Sequence, residues 1–383
     1  MTRRSLEPIG RAGVKARSPQ TIIKMKPTSV RMQDDRLNRV SGCELEFPNR
    51  WGIPARVFAN KEIPLERAAV DELEAVLQIQ ETVDLLGDKS PQFFGPGNDP
   101  AVTEVVLTPD FHKGAGIPIG TVLATRGFAV PQAIGNDINC GMRLIATDFD
   151  VELVKSKSRE LASALRHIFF EEDFGPQFDQ FLTSMRNAAN FAFGNRFFLA
   201  QMIRKGLFEA VGETGWDVVY DAPHNLMWEE QLDGKPTLVH RKGATPAGGW
   251  EEMQGTQFAH WGEPVIVPGS MGASSFLLLG NGARTAICSA CHGAGRALSR
   301  GEAMRADDTQ IDEFLKDFSV ITALDPNRPD VRLRPDILEK WKQELKKEAP
   351  YAYKEITPVI KTLQEAKIAT PVVELFPLMT VKQ

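Results

Sequence analysis

The spacing of apolar positions divides the chain into helical and strand-forming segments. In residues 64–86 apolar side chains recur about every 3.6 residues, which predicts an amphipathic helix. A second long helix is predicted over 177–212. Residues 102–149 and 216–300 instead alternate short apolar runs with glycine-containing turns, which predicts strands joined by loops. Together these patterns predict a mixed α+β fold.

The two ends of the chain differ in character. Residues 1–63 are rich in Arg, Pro and Gly and show little periodicity, so we predict a basic N-terminal tail followed by an irregular region. Residues 64–383 form the second predicted domain. Near its end the pattern predicts helices near 334–348 and 351–368 and a final strand over VVELFPLM.

Composition and charge narrow the class of protein. Of the 383 residues, 42% are hydrophobic and 25% charged, which is ordinary for a globular protein. The net charge of −5 argues against coating of nucleic acid in bulk, although a local basic groove is compatible with it. No apolar run is long enough for a bilayer, and the first residues lack the apolar segment of a secretory signal. With only four cysteines, a reducing, cytoplasmic location is expected.

A glycine loop at 135–142 carries the first set of chemically active side chains. Asp137 and Cys140 can direct a carboxylate and a thiolate toward one point. Such a hard and soft pair suits a borderline divalent ion such as Mn²⁺ or Zn²⁺. The simpler interpretation is a turn that contains a buried cysteine.

The second set follows a predicted strand that ends near residue 222. His224, beside Asn225, is a plausible metal ligand at a strand end, although a single histidine more often has a structural role. Arg241 and Lys242 precede a glycine turn, where they could bind phosphate or could simply be solvated charges.

The third set is Cys288-Ser-Ala-Cys291-His292, followed by two glycines. The spacing fits covalent haem, a redox pair or half of a zinc site. The absence of an export signal argues against haem, and the absence of a second C-x-x-C excludes a four-cysteine zinc site. The remaining interpretation is a histidine on a loop whose backbone N–H groups hold phosphate, with a second such loop at 268–272.

These segments, taken in order, resemble the RtcB family of RNA ligases. The matching segments are PDFHKGAG (109–116), GNDINCGM (135–142), AANFAFGNR (188–196), PHN (223–225), HRKGAT (240–245), PGSMG (268–272), CHGAGR (291–296), AYK (352–354) and VK (381–382). The resemblance begins near residue 100. It implies an RtcB-like mixed α/β fold with glycine-rich active-site loops.

The resemblance also implies a reaction. Family members use GTP and Mn²⁺ to join RNA ends that bear a 3′-phosphate or 2′,3′-cyclic phosphate to 5′-hydroxyl ends, through a guanylate on a histidine. In this chain that histidine is His292. An activating protein partner is not identified. The alternative is a degenerate relative that binds GTP or RNA ends without efficient ligation.

Roles for individual residues follow from the same resemblance. Asp137, Cys140 and His224 are expected to bind metal, and His112 and Asn225 are possible additions. The guanylate is expected to contact Pro268, Gly269, Ser270, Met271, Gly293, Gly295, Tyr353 and Lys382. Arg241, Lys242 and Arg296 are expected to face phosphate.

The chain also departs from the family pattern. Two segments that carry further metal-binding histidines are missing between the loop at 135–142 and the long helix. Only Asp137, Cys140 and His224 remain from the family's metal ligands, and His112 is the best substitute. We therefore expect one firmly held metal ion rather than two.

Overall fold

The computed structural model describes residues 34–89, 94, 99–135, 137–170 and 188–382. The predicted tail over 1–33 and the first part of the helix predicted over 177–212 lie outside these residues. Within the described part of the chain, strands and helices alternate irregularly, which confirms the α+β fold class. No helix in this part is long and apolar enough to cross a membrane.

The described strands are mostly short. In chain order they are β1 (Asn38–Arg39), β2 (Glu44–Glu46), β3 (Ala55–Phe58), β4 (Ala101–His112), β5 (Ile119–Arg126), β6 (Gly141–Ala146), β7 (Asp217–Pro223), β8 (Met227–Leu232), β9 (Lys235–Lys242), β10 (Ala244–Pro246), β11 (Pro264–Val267), β12 (Ser275–Gly280), β13 (Ser289–Cys291), β14 (Ser319–Ile321), β15 (Ala369–Leu375) and β16 (Met379–Val381).

The described helices lie in three stretches of the sequence. They are α1 (Arg67–Leu77), α2 (Ile79–Lys89), α3 (Val151–Ser156), α4 (Ser158–Phe170), α5 (Ala188–Val211), α6 (Arg300–Arg305), α7 (Asp308–Asp317), α8 (Pro329–Arg332), α9 (Pro335–Lys346) and α10 (Ile356–Glu365). The helix predicted over 64–86 is thus two helices that meet at Gln78. The helix predicted near 351–368 begins only at Ile356, because Pro350–Ala352 form a separate 3-10 turn.

A seven-stranded sheet forms the centre of the molecule, in the order β1-β2-β3-β4-β5-β9-β8. β3 and β4 run parallel, and the other pairs run antiparallel. β4 and β5 are buried along nearly their whole length, and this burial includes the polar side chains of Glu104, Thr108 and Asp110. β11, β12 and β15 form a three-stranded sheet, and β6–β7, β10–β13 and β14–β16 are separate pairs.

The region before residue 64 differs from the prediction of irregular structure. Residues 38–58 supply β1, β2 and β3 to the central sheet, and Leu45, Phe47 and Val57 lie in its core. These strands have two to four residues each. Such short strands give no periodicity that a sequence pattern can detect. The residues on both sides of the predicted boundary at 63/64 therefore share one core.

Asn60 joins this N-terminal region to α10. Its backbone N–H donates to Thr362 Oγ1 at 3.2 Å, and its side-chain amide donates to the Pro358 carbonyl at 3.2 Å. The Asn60 Oδ1 atom accepts from the backbone of Glu62 at 2.9 Å. All of these contacts are buried or partly buried, so their loss leaves polar groups without partners.

We predict that Asn60→Ala lowers the free energy of unfolding by about 1–3 kcal/mol, because buried groups lose their hydrogen-bond partners. Urea denaturation followed by circular dichroism measures the change. Asn38→Ala serves as the control, since Asn38 is exposed on the edge strand β1. Equal stability of the two variants would show that the N-terminal strands are not anchored through Asn60.

Candidate active site

His292 lies directly after β13, on the loop that the sequence singled out. β13 pairs with β10 so that Cys291 faces Ala244, and this register brings His292 beside Gly243. The Nδ1 atom of His292 lies 2.8 Å from Oδ2 of Asp110, near the end of β4. Asp110 is 0% exposed. Three strands from distant parts of the sequence therefore meet at one imidazole.

Two glycines permit this close approach. Gly243 has a φ of +66°, and a Cβ there would lie 3.1 Å from Cε1 of His292 and 2.9 Å from the backbone nitrogen of Gly120. Gly295 has a φ of +73°, and a Cβ there would lie 2.2 Å from the carbonyl oxygen of Asp110. A side chain at position 243 would clash with His292 and with β5, and a side chain at position 295 would clash with Asp110 of β4. Either would displace the histidine loop.

The pairing determines the protonation of both groups. Burial raises the pKa of Asp110, but hydrogen bonds from His292 and Thr108 outweigh it, and the pKa lies below its usual value. Burial lowers the pKa of His292. The hydrogen bond to Asp110 and the charge of Asp110 raise this pKa by more, so the net shift is upward. An ionised carboxylate only accepts, so Nδ1 of His292 carries the proton. In the neutral ring, Nε2 then has a free lone pair.

His224 lies next to the His292 ring. The ring centroids are 5.4 Å apart, with the planes at 85°. His224 is 2% exposed, and its Nε2 atom is buried with no hydrogen-bond partner among the described residues. Burial, followed by the charges of His292 and Arg196, lowers its pKa to about 3. This neutral imidazole nitrogen therefore lacks the partner that buried polar atoms normally have.

The loop that contains Asp137 and Cys140 is tied to the residue after His224. The Asn225 amide donates to the Asp137 carbonyl at 2.9 Å, and its Oδ1 accepts from the Gly243 backbone at 2.6 Å. Burial raises the pKa of Cys140 to about 11, with a further contribution from the charge of Asp137 and a hydrogen bond to it. Asp137 and Cys140 therefore contact each other, and Asn225 has a structural role in holding their loop.

The predicted metal ligands are not assembled into one cluster. Across the described ranges, no three His, Cys, Asp or Glu side chains are arranged so that they could hold a metal ion. Asp137 and Cys140 form one pair, and His224 Nε2 stands apart as an unpartnered nitrogen. The donor types fit a borderline divalent ion. His224 Nε2 is closed to water but can still bind a cation, because a metal–nitrogen bond of about 2.0–2.1 Å is shorter than the distance between a water oxygen and a nitrogen that it contacts.

His112, the suggested substitute ligand, lies next to Asp110, the residue that is hydrogen-bonded to the nucleophile. Its Nδ1 atom is 3.0 Å from the backbone carbonyl of Asp110. Burial lowers its pKa, and the charges of Lys354 and His292 lower it further, which places it close to both. His112 therefore belongs to the Asp110 side of the site.

The two glycine loops that were expected around the guanylate lie next to each other. A Cβ on Gly293 would lie 3.6 Å from the Pro268 carbonyl oxygen. The second loop is braced by Gly269, whose N–H donates to Ser275 Oγ at 3.3 Å, and by a turn that closes at the Ser270 carbonyl. Met271 is buried, so its contribution is to anchor the loop.

Tyr353 and Lys382 come together around Glu348, a residue that the sequence did not suggest. The Tyr353 hydroxyl donates to the Glu348 carboxylate. Burial raises the pKa of Glu348, but Tyr353, Arg296 and Lys382 outweigh it, which brings all three close to this carboxylate. Glu348 precedes a proline turn in an otherwise helical, charged stretch, and nothing in that pattern marks it.

Arg296 is engaged by the protein itself. Its guanidinium lies 4.9 Å from the centroid of the Tyr353 ring and donates to the Lys347 carbonyl at 2.6 Å and to Glu348 at 3.3 Å. Arg296 was expected to face phosphate. In the structure its side chain instead holds the loop after His292 against residues 347–353.

Arg241 and Lys242 are likewise not available to phosphate, contrary to the prediction. Arg241 is 1% exposed and binds Ser289 Oγ at 2.9 Å and the Glu230 carboxylate. Lys242 donates to the Ile117 carbonyl at 2.9 Å, and burial lowers its pKa. Both residues belong to β9, which lies between β5 and β8, so their side chains point into packed faces of the sheet.

Cys288 and Cys291 do not form a pair. The charges that act on the Cys288 thiol are those of Glu252 and Glu230, whereas Cys291 is near Asp110 and Lys354. Burial raises the pKa of Cys288 to about 11 and also raises that of Cys291. Both thiols are free. The redox and zinc interpretations of the C-x-x-C spacing thus have no support in this geometry.

Lys354, in the AYK segment, is another residue that sequence reasoning missed. Its ammonium group donates to the Phe111 carbonyl and lies 4.7 Å from the centroid of the Phe111 ring. Burial lowers its pKa to about 8. It is a cation close to Asp110, and only its position inside a matching segment could have indicated it.

Comparison with known proteins identifies the family of the chain. The model of the tRNA-splicing ligase RtcB family matches residues 98–172 and 166–383. The chain is 30% identical over 315 residues to the tRNA-splicing ligase RtcB of Pyrococcus horikoshii, covering 75% of this chain and 32% of that protein. It is 32% identical over 263 residues to the RNA-splicing ligase RtcB homolog 1 of Entamoeba histolytica, covering 64% of this chain and 47% of that protein.

A third relative, the tRNA-splicing ligase RtcB of Pyrococcus furiosus, is 34% identical over 240 residues, covering 58% of this chain and 22% of that protein. The chain thus spans less than half the length of these curated relatives. The family model nevertheless covers nearly all residues from 98 onward, including every segment that forms the site described above. The chain belongs to the RtcB family.

Proposed function

We propose that this protein is a GTP- and Mn²⁺-dependent RNA ligase that joins RNA 3′-phosphate or 2′,3′-cyclic phosphate ends to 5′-hydroxyl ends. The observation that carries the proposal is the hydrogen bond of 2.8 Å between His292 Nδ1 and the buried carboxylate of Asp110. It fixes the ring, holds the proton on Nδ1 and leaves Nε2 free to act as a nucleophile. His292 also lies on a glycine loop suited to phosphate.

In the proposed first step, Nε2 of His292 attacks the α-phosphorus of GTP. The nitrogen–phosphorus bond forms as the bond from that phosphorus to the bridging oxygen breaks, and pyrophosphate leaves. Asp110 stabilises the positive charge that develops on the imidazole, because its carboxylate is ionised and accepts a hydrogen bond from Nδ1. The product is a guanylate bonded to His292.

In the second step, an oxygen of the RNA 3′-phosphate attacks the guanylate phosphorus. The bond to Nε2 breaks, and its electron pair returns to the imidazole. The 5′-hydroxyl of the other RNA end then attacks the activated RNA phosphorus, loses its proton and displaces GMP. A 2′,3′-cyclic phosphate is first opened by water to the 3′-phosphate. The glycine loops at 268–272 and 292–296 would hold the guanylate phosphate, and Tyr353 and Lys382 would contact guanine.

His224, Asp137 and Cys140 are the residues that would hold Mn²⁺. The unpartnered Nε2 of His224 supports this assignment, since coordination would satisfy it. When bound, the ion would supply positive charge that offsets the charge on the phosphoryl oxygens. One of these residues lies beside the nucleophile, with the His224 ring 5.4 Å from that of His292. The free thiols of this chain are consistent with a reducing location, which we propose is cytoplasmic.

The second candidate is a relative that binds GTP or RNA ends without efficient ligation. It is favoured by the incomplete metal site, since no cluster of three donor side chains is found among the residues that the structure describes. With one cation instead of two, the triphosphate and the RNA phosphate are less well neutralised, and both steps lose transition-state stabilisation. Incubation with radiolabelled GTP and Mn²⁺ separates the candidates, since both could bind GTP but only a ligase of this mechanism forms an acid-labile protein–GMP adduct.

We predict that His292→Ala abolishes formation of an acid-labile protein–GMP adduct, because the nucleophile is removed. Asp110→Asn should slow adduct formation by roughly 10²–10⁴-fold, because the amide carries no negative charge and its NH2 group can donate to Nδ1, which favours the wrong tautomer. Labelling with radioactive GTP measures both. His260→Ala is the matched control, since His260 is an exposed histidine outside the site segments. An adduct that survives in His292→Ala would refute the assignment.

We predict that the protein binds about one Mn²⁺ firmly and that Cys140→Ala reduces this amount, because the thiolate is one of few available ligands. Calorimetric titration and metal analysis by mass spectrometry measure the stoichiometry. Cys288→Ala is the control, since its thiol has a similar pKa of about 11 but lies near Glu252 and Glu230 instead. Two tight sites per chain together with rapid ligation would show that other residues complete a second metal site.

A further inference from the structure

Two arginines beside the proposed metal loop share one carboxylate. Arg143 of β6 and Asp221 of β7 face each other across the strand pair, and the guanidinium of Arg143 donates to Asp221 Oδ2, with Nε at 3.0 Å. Arg196 of α5 donates from Nε to the other carboxylate oxygen at 2.6 Å. The three groups carry a net charge of +1, so the cluster has an excess of positive charge within a partly buried surface.

Each guanidinium retains a donor that the protein does not use. Nη1 of Arg143 and Nη2 of Arg196 have no hydrogen-bond partner among the described residues, and both atoms are shielded from water. Leaving a charged donor unmatched in this way is unfavourable, so a small movement toward an incoming acceptor is favoured. Guanidinium groups match the geometry of phosphate oxygens better than any other side chain. The cluster therefore has the chemistry of an incompletely satisfied phosphate site.

An exposed aromatic ring lies next to these cations. Phe197, one residue after Arg196, is 56% exposed, and the Arg143 guanidinium lies 5.8 Å from its ring centroid. Arg196 has a similar contact with Phe193 at 4.7 Å. An open aromatic face beside a cation is typical of proteins that bind single-stranded nucleic acid, where the base stacks and the phosphate pairs with the cation.

The cluster adjoins the reaction centre. Arg196 Nη1 donates to the Asn139 carbonyl at 2.7 Å, and its guanidinium packs against Gly141, where a Cβ would lie 2.8 Å from Cζ. The charge of Arg196 also contributes to the lowered pKa of His224. Arg196 thus braces the loop of Asp137 and Cys140, and Arg143 follows that loop on β6. A nucleotide held by these arginines would lie next to the loop of the proposed metal ligands.

We propose that Arg143, Arg196 and Phe197 form a subsite for one nucleotide of single-stranded RNA, with the base stacked on Phe197 and the phosphate held by the arginines that Asp221 orients. The choice of RNA rests on the proposed function. The triphosphate of GTP is the other source of the same phosphate chemistry. The exposed ring of Phe197 favours RNA over GTP as the ligand. The residues expected to contact the guanine of GTP, Tyr353 and Lys382, lie elsewhere, around Glu348.

The test measures binding of a short fluorescent single-stranded RNA with a 3′-phosphate by anisotropy, in the absence of GTP. Phe197→Ala should weaken binding at least about fivefold, since one stacked base is lost. Arg143→Gln should weaken it similarly and reduce the slope of log Kd against log salt by roughly 0.7, as expected for one lost phosphate contact on a single strand. Phe197→Tyr should retain binding, and Arg143→Lys should give an intermediate affinity.

Two variants serve as matched controls. Phe208→Ala removes a ring that is 61% exposed on the same helix, and Arg126→Gln removes an arginine at the end of β5 that pairs with Asp99. Neither should change RNA affinity. Thermal unfolding of all variants identifies any that merely loosen α5, and Phe197→Tyr and Arg143→Lys remain informative if the larger changes impair folding.

The outcomes separate this inference from the proposed function. RNA binding by the wild type that falls in Phe197→Ala and Arg143→Gln supports the subsite, even if no GMP adduct ever forms and the ligase proposal fails. Unchanged RNA affinity in both variants, or no RNA binding by the wild type, overturns it. If Arg143→Gln weakens GTP binding but not RNA binding, the phosphate belongs to the nucleotide, and the RNA subsite is likewise overturned.

Discussion

The arrangement of the site depends on one buried carboxylate. Asp110 lies on a central strand, fully enclosed, and an ionised carboxylate in such a place is stable only if its oxygens are hydrogen-bonded. Thr108 donates to one oxygen at 2.7 Å, and His292 binds the other at 2.8 Å. If either partner were displaced, the charge would be left without compensation. The position of the His292 loop is therefore tied to the interior of the central sheet.

Several features of the fold serve this contact. The register of β10 and β13 sets His292 beside Gly243, and glycines at 243 and 295 allow the backbone to pass close to the imidazole and to Asp110. The loop after β4 is held from the other side by α1. Glu72 accepts hydrogen bonds from the backbone of Gly114 and Gly116 at 2.7 and 3.1 Å, and Glu66 accepts from Lys113 at 2.9 Å. The part of the chain before residue 100, in which no family segment is recognised, thus supports the loop after β4 through Glu66 and Glu72.

The sequence predicted the components of the site better than their contacts. It identified the histidine loop, the loop of Asp137 and Cys140, and His224, and the structure brings these segments together. It missed Asp110, because an acidic residue inside a strand gives no periodic signal. It misjudged Arg241, because a basic residue near a glycine turn has the same local sequence whether it faces solvent or pairs with Glu230 inside the sheet. Such ion pairs form between residues that only the folded chain brings together, so local patterns cannot reveal them.

The protonation state of His292 tests the central claim most directly. Histidine labelled with ¹⁵N, observed by long-range proton–nitrogen correlation at a pH where the ring is neutral, distinguishes the two tautomers. The signals of His292 can be assigned by their loss in His292→Gln. The account predicts that the neutral ring carries its proton on Nδ1 and that this preference is lost in Asp110→Ala. A neutral His292 with its proton on Nε2 in the unaltered protein would contradict it, since the nitrogen assigned to attack phosphorus would then have no free lone pair.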